Sequence, residues 1–186
     1  MSEGPTERIV LTPDVRRGDV ATVAWDLGFL TTRTVDDLDE QPEEEIWRAP
    51  DGSTTLHLIE DHFTGLRYAV VRGENLDATV RKVRKQVGNV THVEALRALK
   101  EATTFEDKLL ALYQLGAAAP KRVNSRVAAA FRRMLRDENP DLRHAALVAL
   151  AYSGWPEMKD DVRRMAEEDP SSTIREAAGR VLADYE

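Results

Sequence analysis

Three stretches of this sequence share one helical pattern: KLLALYQL at residues 108–115, RHAALVAL at 143–150 and REAAGRVL at 175–182. In each, Ala and Leu recur at the three- and four-residue spacing that gives a helix one apolar face. Each stretch follows another segment with helical spacing, so the pattern predicts three helix pairs, at about residues 91–118, 121–154 and 156–185. Because one pair cannot bury its apolar stripe alone, repeated pairs are expected to stack into a solenoid.

The second and third pairs resemble a known repeat family. Residues 137–150, DENPDLRHAALVAL, resemble the second-helix signature of HEAT repeats of the PBS-lyase-like type, and residues 169–182 resemble it again. The resemblance covers about residues 91–186 and implies an α-solenoid. The first pair departs from the signature, with Phe105 at the proline position and Asp107 at an apolar one. We therefore interpret the first pair as a degenerate, capping repeat.

The same resemblance implies a structural role for four charged residues. In HEAT-like proteins a repeated arginine and the aspartate before it form a ladder of ion pairs between successive repeats. The residues of this chain that match the pattern are Asp137, Arg143, Asp169 and Arg175.

The first part of the chain has a different pattern. Short β-branched and aromatic runs alternate with turn residues up to residue 88, and two segments have helical spacing. The first helix is expected to begin at Pro13, with Thr12 as its cap, and Asn75 is expected to cap the second. The predicted order is β–α–β–β–β–β–α, an α+β domain with two helices on one side of a sheet. We expect two domains, residues 1–88 and 89–186.

Composition excludes several classes of function. The chain has 26 Lys and Arg against 33 Asp and Glu, a net charge of −7, which disfavours general nucleic-acid binding. It has no Cys, so disulfides, thiolate metal sites and cysteine nucleophiles are excluded. The polar start MSEGPTER and the lack of a long apolar run predict no export and no membrane insertion. We expect a cytoplasmic protein of bacterial type.

The strongest acidic feature is residues 36–45, DDLDEQPEEE. One interpretation is a solvated loop between two strands, because single-sign runs resist burial. The other is a docking surface for a basic protein, which an exposed Trp47 would strengthen as an aromatic anchor; Trp47 could equally be part of the core. The candidate protein-binding residues are Asp36, Asp37, Asp39, Glu40, Glu43, Glu44, Glu45 and Trp47.

The strongest basic feature is the predicted helix over residues 121–136, which contains no acid. Helical spacing turns a basic face outward, opposite an apolar stripe. This face could bind phosphates or an acidic protein, or it could be a soluble outer surface paired with acids of a neighbouring repeat. Its candidate residues are Arg122, Arg126, Arg133 and Arg136.

No motif for catalysis, metal or cofactor binding is present. His57 and His62 are the closest pair of histidines, and strand alternation places them on opposite faces, with Glu60 on the side of His62. The sequence therefore predicts a protein without enzymatic activity, metal or cofactor. We expect an adaptor, or an inhibitor of immunity type, that binds another protein through the helical-repeat surface and the acidic segment 36–45. The alternatives are nucleic-acid binding through residues 121–136 and, third, a metal-dependent enzyme that uses His57, Glu60 or His62.

Overall fold

The computed structural model describes residues 5–35, 43–183 and 185, and the chain divides into two compact units, Met1–Val90 and Thr91–Glu186. The first unit is α+β and the second is helical, so the predicted fold class is confirmed. The division falls two residues later than expected. Asn89–Val90 is a short strand that pairs with the first strand of the sheet, and this pairing holds it in the first unit.

One antiparallel sheet and two helices build the first unit. Its elements are β1 (Thr6–Leu11), α1 (Arg17–Asp26), β2 (Leu30–Val35), β3 (Glu43–Arg48), β4 (Thr54–Asp61), β5 (Leu66–Gly73), α2 (Leu76–Gln86) and β6 (Asn89–Val90). The sheet order is β2-β3-β4-β5-β1-β6, with antiparallel pairing at every junction. The predicted order of elements is therefore present, with β6 added.

The first helix begins later than the sequence predicts. Thr12 is not its cap: residues 12–16 lie outside the helix, where the Val15 amide donates to the carbonyl of Thr12 and the Thr12 amide donates to the carbonyl of Gly88. The capping position is Arg16, whose amide donates to the Asp19 carboxylate at 2.7 Å. The Thr-Pro segment is therefore a turn that precedes the helix.

One face of the sheet carries the core of the first unit. Apolar side chains of β1, β3, β4 and β5 pack with Val20 and Val23 of α1 and Val80 and Val83 of α2. Burying this surface stabilises the unit in proportion to the apolar area removed from water. The sheet residues of this core are Ile9, Leu11, Trp47, Leu56, Leu58, Ala69 and Val71.

The second unit consists of helix pairs. Its elements are α3 (His92–Glu101), α4 (Phe105–Ala117), α5 (Ser125–Met134), α6 (Pro140–Ser153), a 3₁₀ turn (Pro156–Met158), α7 (Lys159–Glu168) and α8 (Ser172–Ala183). The second helices of the pairs are neighbours, because α4 packs on α6 and α6 on α8. Gly116 allows the first of these contacts: a Cβ there would lie 2.4 Å from the carbonyl oxygen of Ala149. The repeat pattern thus produces stacked pairs.

The predicted helix over residues 121–136 is shorter in the structure. It extends from Ser125 to Met134, because the Asn124 side chain accepts hydrogen bonds from the amides of Arg126 and Val127 and begins the helix there. Its buried face includes Phe131, whose ring centroid lies 5.9 Å from that of Trp155. The indole of Trp155 donates to the carbonyl of Pro120, which anchors the chain before the helix.

Candidate binding surfaces

The described part of the acidic segment, residues 43–45, is paired within the first unit. Asp36, Asp37, Asp39 and Glu40 lie outside the described residues. Glu43, Glu44 and Glu45 begin β3, and each meets a base from another element. Glu44 Oε1 lies 2.7 Å from His57 Nδ1, Glu45 Oε2 lies 2.5 Å from Arg17 Nε, and Glu43 Oε1 lies 3.8 Å from His62 Nε2.

Two of these glutamates are too buried to form a free acidic surface. The side chain of Glu45 is 11% exposed and that of Glu44 is 27% exposed, while Glu43 is about half exposed. Strand alternation directs Glu45 to the helix side of the sheet and Glu44 to the other side. Replacing Glu44 or Glu45 would therefore disturb contacts within the unit as well as the surface charge.

Trp47 is not a surface anchor. The residue is 0% exposed and lies in the core between the sheet and its two helices. It follows Glu45 by two residues, so both side chains point to the helix side of the sheet. Of the two alternatives for Trp47, the structure has the core position, so the indole is not an anchor for a docking surface, because a buried ring contacts no partner.

Only two of the four arginines of the basic face lie on the helix itself. Arg126 and Arg133 lie on α5, whereas Arg122 precedes the helix and Arg136 follows its last turn. All four are exposed, and none forms an ion pair with a described residue. Spacings of three and four residues align Arg126, Ala129 and Arg133, so a small side chain separates two guanidinium groups about 10 Å apart along the axis.

Other arginines of the second unit are paired with acids. Arg132 Nε, on the neighbouring position of α5, donates to Asp161 of α7 at 2.8 Å. Arg163 of α7 pairs with Asp160. The arginines of the basic face therefore differ from Arg132, which pairs with an acid of the next repeat, and from Arg163, which pairs within its own helix.

The ladder residues meet at the junction of the second and third repeats. Arg143 of α6 donates to both carboxylate oxygens of Asp169, at 2.8 and 3.0 Å, and also to the backbone carbonyls of Asp137 and Glu138. Arg175 donates to the backbone carbonyl of Asp169. The Asp137 side chain accepts from the amide of Asn139 and so acts within its own turn.

Burial makes this junction electrostatically strong. The side chains of Arg143 and Asp169 are 10% and 2% exposed. Burial alone would raise the pKa of Asp169, but the hydrogen bonds from Arg143 and the Ser171 amide outweigh it and hold the pKa below its usual value. Bidentate pairing of this kind joins α6 to the start of α8 and fixes the spacing of the repeats.

The remaining candidates of the first unit are engaged in pairs. Glu60 accepts from Arg67 at 3.0 Å, and His62 lies beside Glu43. Among the described residues, no group of three or more His, Asp or Glu is arranged to hold a metal ion.

No helix in the described part of the chain is long and apolar enough to cross a membrane.

Sequence reasoning missed one open cavity in the first unit. It is lined by residues of four strands, namely Thr32, Ile46, Arg48, Thr55, His57 and Arg72. Of these, only His57 stood out in the sequence. The only local signal is the two-residue spacing of Thr55 and His57 on β4, which places both side chains on one face.

Comparison with known proteins gives one match. The family described as HEAT repeats matches residues 93–183, which covers almost the whole second unit. No curated protein and no solved structure gave a significant match.

Proposed function

We propose that this chain binds an acidic protein through the basic face of α5, because residues 93–183 match the HEAT-repeat family, which generally mediates protein–protein interaction. The observation that carries the proposal is the set of four exposed arginines, Arg122, Arg126, Arg133 and Arg136, that no described acid neutralises. In this role the chain acts as an adaptor or inhibitor. A cytoplasmic location, which a chain without Cys suits, is part of the proposal.

The spacing of the face suits a peptide or helix of a protein partner. Arg126 and Arg133 are separated by two helical turns, and Ala129 between them leaves room for a partner backbone. Carboxylates seven residues apart on a helix have the same separation of about 10 Å and lie on one face. Arg guanidinium groups form bidentate pairs with carboxylates, and such charge complementarity speeds association and rejects basic partners.

The interaction is tested by capture from a lysate of the source cells, before and after nuclease treatment. We expect a stoichiometric protein to be retained by the wild type and lost by R126E/R133E. The matched control is R81E/K85E, which changes the same charge on two exposed residues of α2 in the first unit. Equal retention by all three proteins would exclude the basic face as the docking site.

The same arginines also support the alternative, nucleic-acid binding. Neutralising phosphates releases counterions, so nucleic-acid affinity falls steeply with salt. Recovery of nucleic acid alone, abolished by nuclease or by moderate salt, would replace the proposed protein partner with a polyanion. The net charge of −7 opposes such binding at long range.

A further inference from the structure

Three polar side chains of β3 and β4 form one hydrogen-bonded chain in the first unit. Glu44 Oε1 lies 2.7 Å from His57 Nδ1, and His57 Nε2 lies 2.8 Å from the Thr55 hydroxyl. A carboxylate only accepts hydrogen bonds, so Nδ1 carries the proton of the first contact, and a neutral imidazole then accepts the Thr55 hydroxyl proton at Nε2. The order is therefore carboxylate, imidazole and hydroxyl.

Strand register holds the three side chains on the sheet face that points away from α1 and α2. Thr55 and His57 alternate along β4 with the core residues Leu56 and Leu58. Ile46 of β3 pairs with His57, so Glu44, two residues before Ile46, lies on the same face. The imidazole is 7% exposed and is held from both sides.

The Thr55 hydroxyl is placed at an open cavity. Thr55 and His57 both line this cavity, whose volume is about 420 Å³, and Thr55 itself is half-buried. Arg48 pairs with Thr55 in the register, is exposed and lines the same cavity. A guanidinium beside a reacting carbonyl stabilises the negative charge that develops on its oxygen. The cavity therefore brings together a hydroxyl, its base and a positive charge.

We propose that Thr55 is a nucleophile for the hydrolysis of small carboxylic esters, with His57 as general base and Glu44 as the residue that positions His57. A hydroxyl within hydrogen-bond reach of an imidazole that a third group orients is the arrangement that activates a nucleophile. This activity belongs to the first unit and is independent of binding through the basic face of α5.

The reaction has two steps. Thr55 Oγ bonds to the carbonyl carbon while its proton passes to His57 Nε2, and the alcohol leaves with that proton as its C–O bond breaks. Water then attacks the acyl carbon and gives a proton to His57, which returns it to Thr55 Oγ as the acid leaves. Ester and water thus give acid and alcohol, and the protein is restored.

The first test is hydrolysis of p-nitrophenyl acetate by the full chain. We expect T55V to lower kcat at least about tenfold and T55S, which keeps a hydroxyl, to retain it. E44Q should lower kcat with KM unchanged, because it disturbs the imidazole and not the substrate contacts. The control H62N removes an exposed histidine outside the chain of three residues and should leave the rate unchanged. A T55V rate equal to that of the wild type would overturn the proposal.

The second test is covalent labelling with diisopropyl fluorophosphate, which transfers its phosphoryl group to an activated hydroxyl and releases fluoride. We expect mass spectrometry of peptides to show one adduct at position 55 in the wild type and in T55S. H57Q, with unchanged amide dispersion in its NMR spectrum, should lose this adduct because the base is gone. An unlabelled Thr55 in the wild type, or equal labelling of H57Q, would overturn the proposal.

Discussion

The three glutamates of strand β3 and the arginines of helix α5 are each a run of one charge sign in the sequence, and the structure treats them in opposite ways. The glutamates of β3 meet His57, His62 and Arg17 from other elements. The arginines of α5 at positions 126 and 133 form no ion pair with a described residue. Only charged side chains that are not already paired with neighbouring strands or repeats are available to a partner. The number of charged residues in the sequence does not show which side chains these are.

The second unit repeats this contrast between arginines. Arg143 is buried and bidentate with Asp169, so its charge is used inside the protein. Arg126 and Arg133 are exposed on the outside of a helix whose other face is buried. The same side chain is structural in one place and available for binding in the other, and each prediction below tests that division.

The largest effect is expected from removing the buried arginine. R143A leaves the Asp169 carboxylate buried without its partner, which typically costs about 3–5 kcal/mol. R133A removes an arginine with no acidic partner among the described residues, and its cost should stay within about 0.5 kcal/mol. Urea unfolding of the two variants measures the difference. Equal loss of unfolding free energy would contradict the division into structural and available arginines.

Acid should weaken the same junction. The pKa of Asp169 is lower in the folded protein than its unfolded value of about 3.9, so the pair stabilises the protein fully above that value. The stability is lost as pH falls through the folded pKa. D169N has no such titration, and the difference in unfolding free energy between wild type and D169N should shrink by about 1–3 kcal/mol on acidification. A constant difference down to the acid limit would show that the pair does not couple to folding.

A smaller effect is expected from reversing the paired glutamates. E44K/E45K places lysines beside His57 and Arg17, and we expect a loss of about 1–2 kcal/mol because partly exposed pairs contribute modestly. Thermal melting with denaturant titration measures it. A loss no greater than that of R126E/R133E, which also reverses two charges, would erase the distinction between β3 and α5.

The sequence predicts local patterns of this protein well. Helical spacing identified the helix pairs, because the apolar residues of each helix recur every three or four positions within one short segment of sequence. The succession of strands and helices along the first unit was predicted from turn residues between β-branched runs. The predicted start of α1 was wrong because the Thr-Pro segment forms a turn, in which the Val15 amide donates to Thr12, before the helix begins after Arg16.

The candidate binding surfaces depend on contacts between distant residues, which sequence patterns do not predict. The sequence left Trp47 open between a surface anchor and a core residue. Strand alternation directs it into the core, while Arg17 and His57 pair with the glutamates before it. Glu44 meets His57 and Thr55 only through the register of β3 with β4. Partners from distant elements therefore decide which polar residues remain for function.

The most direct test of the basic face compares stability and binding in one protein, R126E/R133E. Both arginines are exposed and form no ion pair with a described acid, so we expect its unfolding free energy to lie within about 0.5 kcal/mol of the wild type. Its capture of the protein partner should fall at least about tenfold, which corresponds to about 1.4 kcal/mol of binding free energy. Retained capture, or lost capture with a matching loss of stability, would show that these arginines do not form a binding surface.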